Sequence, residues 1–283
     1  MSRHFRLLAS CAALVVAGSM TLQAQGTTLE DSLYTASLHR VMHFRVCLPA
    51  SGSAGRRYPA ILMLHGLGGN YKDWTDLTSI GKLALLDTVL VVTPDAGDSW
   101  YVDSFTDTTA KCESAIVREL LPYVLSKYPA DRRNLGIGGL SMGGYGALTI
   151  GLRHPDIFRF IGEMSGALFV PFGIPDLNRF GRENLRPMLT RVFGTDSLVW
   201  RAVAPERLAA AIDTARAPYI YMVSGIQDDL SIRVASHRSF ADVLRERGIH
   251  YEYHETPGRH SWDYWAREIG PLLRRFRDLC IVR

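Results

Sequence analysis

The chain has 283 residues, of which 47% are hydrophobic and 21% are charged, with 32 Lys and Arg residues against 28 Asp and Glu. Its formal net charge of +4 is spread along the sequence without a basic block, which argues against a nucleic-acid partner. The length is sufficient for one large domain with a sizeable hydrophobic core.

The first 24 residues have the pattern of an export signal. Arg3 and Arg6 precede an apolar stretch from Leu7 to Met20, and a cleavage site follows Ala24. The stretch is shorter than the roughly 20 apolar residues that a spanning helix needs, so we expect no stable membrane insertion after cleavage. The tetrapeptide L-A-S-C resembles a lipoprotein box, but it follows the arginines too closely for lipidation at Cys11. We predict a periplasmic or secreted protein.

Strands and helices are predicted to alternate through residues 25–283. Residues 38–48 alternate as in a strand with one solvent-facing side, and four continuous apolar runs predict strands buried on both faces. The buried strands are Ala60–Leu64, Val89–Thr93, Leu135–Leu140 and Tyr219–Ser224, and the helices lie near Asp73–Leu86, Glu113–Lys127, Gly143–Arg153, Ser231–Arg247 and Tyr264–Asp278. This order predicts a single α/β domain with a doubly wound, mostly parallel sheet and helices on both faces.

Residues 166–215 interrupt this alternation. The prolines Pro171, Pro175, Pro187 and Pro205 divide the segment into short pieces, because proline starts or breaks a helix. We expect an irregular excursion over the edge of the sheet that contributes to a substrate cleft.

The mature region contains Cys47, Cys112 and Cys280. An odd number of cysteines at wide spacing fits neither a zinc site nor a disulfide framework, although one pair could oxidise after export. We expect neither a metal nor an organic cofactor.

Ser141 lies in the glycine-rich run G-G-L-S-M-G-G-Y-G, and residues 139–143 match G-x-S-x-G. The serine follows a predicted strand and precedes a predicted helix, which is the context that this nucleophile motif requires. Helix amides directed at the turn would stabilise negative charge there. A glycine-rich turn that only packs a helix onto a sheet is the alternative, but the strand–turn–helix context favours Ser141 as a nucleophile.

A serine nucleophile needs a histidine base and a carboxylate that orients the histidine. Asp228 and Asp229 follow the strand that ends near Gly225, and His260 lies in the loop after the next strand. This order of serine, acid and histidine is that of the α/β-hydrolases. We predict His260 as the base and Asp228 as the acid, with Asp229 as the alternative.

The oxyanion of an acyl-transfer intermediate needs two backbone donors. Met142, directly after the nucleophile, would provide one, and a loop after an early strand would provide the other. Leu67, in the run H-G-L-G-G, is the predicted second donor, and His65 is expected to shape this loop. A simple tight turn after the strand is the alternative interpretation of the run.

Five segments resemble the esterase branch of the α/β-hydrolases, which contains S-formylglutathione hydrolases, tributyrin esterases, feruloyl and acetylxylan esterases, and mycolyltransferases. They are L-H-G-L-G-G-N-Y-K-D-W, P-D-A-G-D-S-W-Y-V-D-S, G-L-S-M-G-G-Y-G-A-L, S-G-I-Q-D-D-L and P-G-R-H-S-W-D-Y-W. The resemblance implies the α/β-hydrolase fold, and it implies the same catalytic and oxyanion residues as above. It also implies that Trp100 and Tyr101 line the cleft. Ser261 departs from the family, in which an acid commonly follows the histidine.

We therefore expect an exported serine esterase that acts through an acyl-serine intermediate on a small-molecule or oligosaccharide ester. Aromatic residues near the site could stack on sugar or phenolic rings, which favours short-chain or aromatic acyl esters of carbohydrates. Acyl transfer to a sugar or lipid alcohol and thioester hydrolysis of the S-formylglutathione type are alternatives. A non-catalytic binding module is disfavoured, because such a module would be expected to have lost a triad residue.

Overall fold

The computed structural model describes residues 27–49, 55–228 and 231–281. The predicted export signal over residues 1–24, with Cys11, lies outside these residues, and so does Asp229, the alternative acid. In the described part of the chain, no helix is both long enough and apolar enough to cross a bilayer.

Eight strands of the described residues form one sheet in the order β1-β2-β4-β3-β5-β6-β7-β8. The strands are β1 (Thr27–Thr35), β2 (Arg40–Leu48), β3 (Tyr58–Leu64), β4 (Leu90–Pro94), β5 (Ala130–Leu140), β6 (Phe160–Met164), β7 (Tyr219–Gly225) and β8 (Tyr251–Thr256). The pairs β1–β2 and β2–β4 are antiparallel, and the other pairs are parallel. The predicted mostly parallel sheet of an α/β-hydrolase is therefore confirmed.

Ten α-helical segments of the described residues connect and follow the strands. They are α1 (Asp73–Asp76), α2 (Ile80–Asp87), α3 (Cys112–Ser114), α4 (Leu121–Lys127), α5 (Met142–Arg153), α6 (Arg186–Phe193), α7 (Ser197–Trp200), α8 (Pro205–Ala211), α9 (Ser231–Arg247) and α10 (Trp262–Ile281). The helix predicted over Glu113–Lys127 contains a π-helical stretch, Ala115–Leu120, after which the Leu121 amide bonds to the Ile116 carbonyl. Pro122 follows directly and has no amide hydrogen to donate. The hydrogen-bond register of the helix therefore changes from π to α at a position where an α-helical bond is missing.

The buried strands divide their side chains between two apolar layers. On β3, Ala60, Leu62 and Leu64 face one layer, whereas Ile61 and Met63 face the other. Helices α4, α5, α8 and α9 cover the first layer, and α2 and α10 cover the second. A strand that is covered on both faces buries every side chain, which explains the continuous apolar runs.

The segment between β6 and β7 contains short helices rather than another long one. Two 3₁₀ turns, Ile174–Phe180 and Glu183–Leu185, precede α6, α7 and α8. Pro175, Pro187 and Pro205 each stand in the first turn of a helix, where a missing amide has no consequence. The segment packs on α5 through Phe193, whose ring meets that of Tyr145 at 5.9 Å.

Cys47 and Cys112 are buried free thiols in different apolar layers. Because the sheet separates them, they do not pair with each other in this structure. Burial raises the pKa of the Cys112 thiol to about 12, so this group is a neutral core residue.

Candidate active site

Ser141 occupies a strained turn between β5 and α5. Its φ of 53° and ψ of −114° lie outside the regions that side chains normally adopt, which costs about 1–3 kcal/mol. Its amide donates to the Met164 carbonyl at 2.9 Å, and its carbonyl accepts from the Tyr145 and Ala167 amides at 3.1 and 3.2 Å. These bonds hold the turn in one position at the carboxyl edge of the sheet.

Glycine is required beside Ser141 because another stretch of backbone lies against the turn. A Cβ added at Gly143 would overlap the carbonyl oxygen of Leu64, and one at Gly139 would lie 2.5 Å from the carbonyl oxygen of Gly143. The end of β3 therefore meets the start of α5 without intervening side chains. This contact brings the loop after β3 next to the serine.

Ser141, His260 and Asp228 form a continuous hydrogen-bonded chain. His260 Nε2 lies 3.0 Å from Ser141 Oγ, and His260 Nδ1 lies 2.8 Å from Asp228 Oδ2. With a proton on Nδ1, the ring donates to the carboxylate and accepts from the serine hydroxyl. The Asp228 side chain is 1% exposed and that of His260 is 22% exposed, so the acid is shielded while the base reaches the cleft.

Backbone bonds tie the loop of Asp228 to the loop of His260. The Asp228 amide donates to the Gly225 carbonyl at 3.0 Å, and the Gln227 amide donates to the Gly258 carbonyl at 3.0 Å. The Gln227 side chain accepts in return from the Gly258 amide. Because the two loops follow the neighbouring parallel strands β7 and β8, they meet at the same edge of the sheet.

His260 rests against aromatic side chains at the start of α10. Its ring meets the Trp265 indole edge to face, with centroids 4.8 Å apart, and Trp265 meets Trp262 at 5.4 Å. Ser261, the departure from the family pattern, precedes the helix, and its carbonyl accepts from the Tyr264 and Trp265 amides. The backbone carbonyl of Ser261 thus accepts the first hydrogen bonds of α10.

The loop after β3 is shaped by His65, which is fully buried. Ala96 donates its amide to His65 Nε2 at 3.1 Å, so Nδ1 carries the proton and donates to the Gly66 carbonyl at 2.8 Å. Burial lowers the pKa of His65, which keeps the ring neutral and this bonding pattern intact. The contacts agree with a loop-shaping residue rather than a base.

The two predicted oxyanion donors belong to the two segments that adjoin Ser141, the loop after β3 and the start of α5. Leu67 and Ser141 line the same cavity, and the neighbouring Gly68 amide donates to Asp98 Oδ1 at 2.8 Å. Met142 is the first residue of α5, where backbone amides have no acceptor within the helix. Leu67 therefore lines the cavity of the nucleophile, and Met142 follows the nucleophile directly at the start of α5.

The cavity at Ser141 has a volume of about 390 Å³. Its wall includes the large side chains of Trp100, Trp262 and Trp265, together with residues of the segment after β6 that no sequence motif marked. Those residues are Ala167, Phe169, Arg182 and Leu185. The predicted contribution of residues 166–215 to the cleft is thus assigned to particular side chains.

The two aromatic residues expected at the cleft have different positions. Trp100 lines the cavity, and its Nε1 donates to the Met188 sulfur at 3.1 Å. Tyr101 is fully buried, and its hydroxyl donates to the His65 carbonyl at 3.0 Å. Of this pair, Trp100 is therefore the residue that can touch a substrate.

Comparisons with known proteins agree with this geometry. The family described as "Putative esterase" matches residues 35–276. An acetyl esterase of Caldicellulosiruptor saccharolyticus is 33% identical over 74% of this chain and 80% of its own length. An S-formylglutathione hydrolase of Bos taurus is 28% identical over 57% of this chain and 61% of its own length. The structure of an S-formylglutathione hydrolase from Agrobacterium tumefaciens has the same fold, with a TM-score of 0.78 at 21% identity over 90% of this chain and 96% of that one.

Proposed function

This chain belongs to the esterase family of the α/β-hydrolases and is a carboxylic-ester hydrolase, and from this premise we propose that Ser141 is its nucleophile, His260 its general base and Asp228 the acid that orients the histidine. The observation that carries the proposal is the hydrogen-bonded chain of 3.0 and 2.8 Å through the imidazole. The shielded carboxylate also suits its role, because a negative charge away from water stabilises the imidazolium that forms during the reaction.

In the proposed reaction, Ser141 Oγ attacks the ester carbonyl carbon while its proton passes to His260 Nε2. The amides of Leu67 and Met142 donate to the oxygen that becomes negative. Collapse of this intermediate breaks the bond to the alcohol, which leaves with the proton from His260. Water then attacks the acyl-serine by the same steps, with His260 as base and then as acid, and the carboxylic acid is released.

We propose short-chain or aromatic acyl esters of carbohydrates as the substrates. The cavity of about 390 Å³ is suited to a small acyl group, and its indole side chains offer flat surfaces on which sugar or phenolic rings can stack. Similarity to an acetyl esterase favours the short acyl group. The proposal includes export by the signal over residues 1–24, which places the enzyme where extracellular carbohydrate is available.

The test of this specificity compares kcat/KM on acetylated and feruloylated xylo-oligosaccharides, S-formylglutathione and a long-chain triglyceride. We expect a carbohydrate ester to be the best substrate. A tenfold advantage for either other class, equivalent to about 1.4 kcal/mol in the transition state, would contradict the proposal. An advantage for the thioester would support an S-formylglutathione hydrolase, the activity named for the Bos taurus relative.

A further inference from the structure

A buried acid and histidine lie behind the nucleophile turn and take no part in the proposed chemistry. Glu163 on β6 and His237 on α9 are both fully buried, and His237 Nε2 lies 3.0 Å from each carboxylate oxygen. Burial of ionisable groups is unfavourable unless they are well paired, and apolar residues of similar size would often be no less stabilising. The position of this pair therefore points to a role other than stability.

The carboxylate of Glu163 holds a loop that contacts the nucleophile. The Gly166 amide donates to Glu163 Oε1, and the next residue, Ala167, donates its amide to the Ser141 carbonyl at 3.2 Å. A Cβ added at Gly166 would lie 2.6 Å from Oε1, so the loop and the carboxylate are in close contact at this glycine. A shift of the Glu163 carboxylate would thus move the backbone of Ser141 through Gly166 and Ala167.

The histidine extends the same contacts to the acid and the base. His237 lies on α9, the helix that follows the loop of Asp228, and its ring stacks on Tyr253 of β8 at 5.9 Å. The Tyr253 hydroxyl lies 2.8 Å from Ser224 Oγ on β7. Because β7 leads to Asp228 and β8 leads to the loop of His260, the pair contacts the supports of all three proposed triad residues.

We propose that Glu163 is a positioning residue for catalysis, which together with His237 fixes the spacing of the segments that carry Ser141, Asp228 and His260. This inference rests on the proposed function of those three residues. Glu163 touches neither the substrate nor the reacting atoms, and it acts through the Gly166 and Ala167 backbone. A displacement of about 1 Å at a reacting group is sufficient to lower a rate by about 100-fold.

A second acid–histidine pair at the other end of α5 offers a matched control. Glu113, whose side chain is 8% exposed, lies 2.7 Å from His154 Nε2 and 2.9 Å from Arg153 Nε. His154 follows the last residue of α5, whereas Ser141 precedes the first, and a helix of 12 residues is about 18 Å long. Loss of this pair removes a buried carboxylate of α3 that contacts the far end of α5, without reaching the nucleophile.

The experiment compares Glu163→Leu, Glu163→Gln and Glu113→Leu with the wild type, using 4-nitrophenyl acetate at a temperature where each variant is shown to be folded. We expect Glu163→Leu to lower kcat by about 10-fold or more with KM within about twofold, because positioning affects the chemical step. Glu163→Gln should restore most of kcat, since its amide oxygen can accept from Gly166 and His237. Glu113→Leu should lower the unfolding temperature and leave kcat unchanged.

Two outcomes would overturn the inference: an unchanged kcat in Glu163→Leu, or an equal loss of kcat in Glu113→Leu. If Glu163→Leu does not fold, His237→Phe decides. That variant keeps a ring against Tyr253 but loses the hydrogen bond to Glu163, so its kcat should fall. His237→Gln keeps a donor for Glu163, so its kcat should stay near that of the wild type. Equal kcat in these two variants would also overturn the inference. Failure of the proposed function would be seen separately, as retained activity in Ser141→Ala.

Discussion

The imidazole of His260 meets the indole of Trp265 edge to face, with the ring centroids 4.8 Å apart and the planes at 88°. Trp265 is 5% exposed and belongs to α10, so it forms a rigid wall for the imidazole. Such an aromatic contact contributes about 0.5–1.5 kcal/mol beyond the burial of surface. The contact restricts the orientation of the His260 ring, which would otherwise be set only by the hydrogen bonds to Asp228 and Ser141.

We predict that Trp265→Ala lowers kcat by about 10-fold, since 1.4 kcal/mol corresponds to that factor. Trp265→Phe should retain most of the activity because it keeps a ring against the imidazole. Steady-state kinetics on 4-nitrophenyl acetate would show the difference. Equal losses in both variants would mean that the contact with His260 has no part in catalysis.

Replacement of the two adjacent acids should have very different effects. Asp228→Asn should lower kcat by about 10³-fold or more, because an amide cannot hold the histidine in the required tautomer. Asp229→Asn, with the same change one residue later, should remain within about threefold of the wild type, as expected of a charge outside the triad. The reverse order would assign the acid to Asp229.

Acid should weaken the fold through His65. Burial lowers the pKa of this group below its ordinary value of 6.5, so the unfolded chain binds its proton more readily than the folded one. The contribution of neutral His65 to stability is therefore complete above about pH 6.5 and is lost as the pH falls below that value. The free energy of unfolding, measured in urea at pH 7.5 and 5, should decrease more in the wild type than in His65→Gln. An equal decrease would remove His65 as a source of the pH dependence.

The sequence predicts the core of this fold well but misses two strands. The long apolar runs of β3 and β4 indicate buried parallel strands, because a strand that is covered on both faces needs apolar residues throughout. β1 lacks this signal because most of its side chains are exposed. In β6 the buried Glu163 interrupts the apolar run, so the residue that we propose as a positioning group is also what obscures the strand.

At the site, motifs predict the residues whose backbone geometry demands particular residue types, and they miss the residues that long-range packing brings together. Ser141 is marked by its glycines, because the turn and the close approach of β3 both need them. Phe169 and Arg182 line the cavity because of the path that the irregular segment after β6 takes. Such a segment has no hydrophobic periodicity that a sequence pattern could reveal. Tyr101 follows Trp100 directly, yet its hydroxyl donates to the buried His65 carbonyl, a long-range contact that no local sequence pattern marks.

The most direct test of the account identifies the residue that becomes acylated. Wild-type enzyme quenched during turnover of 4-nitrophenyl acetate should carry one acetyl group on the peptide that contains Ser141, as shown by mass spectrometry. Ser141→Ala should fold with the same unfolding midpoint, carry no acetyl group there and lose about 10³-fold or more of the hydrolysis rate. An acetyl group on another residue, or Ser141→Ala activity above about a tenth of the wild type, would contradict Ser141 as the nucleophile.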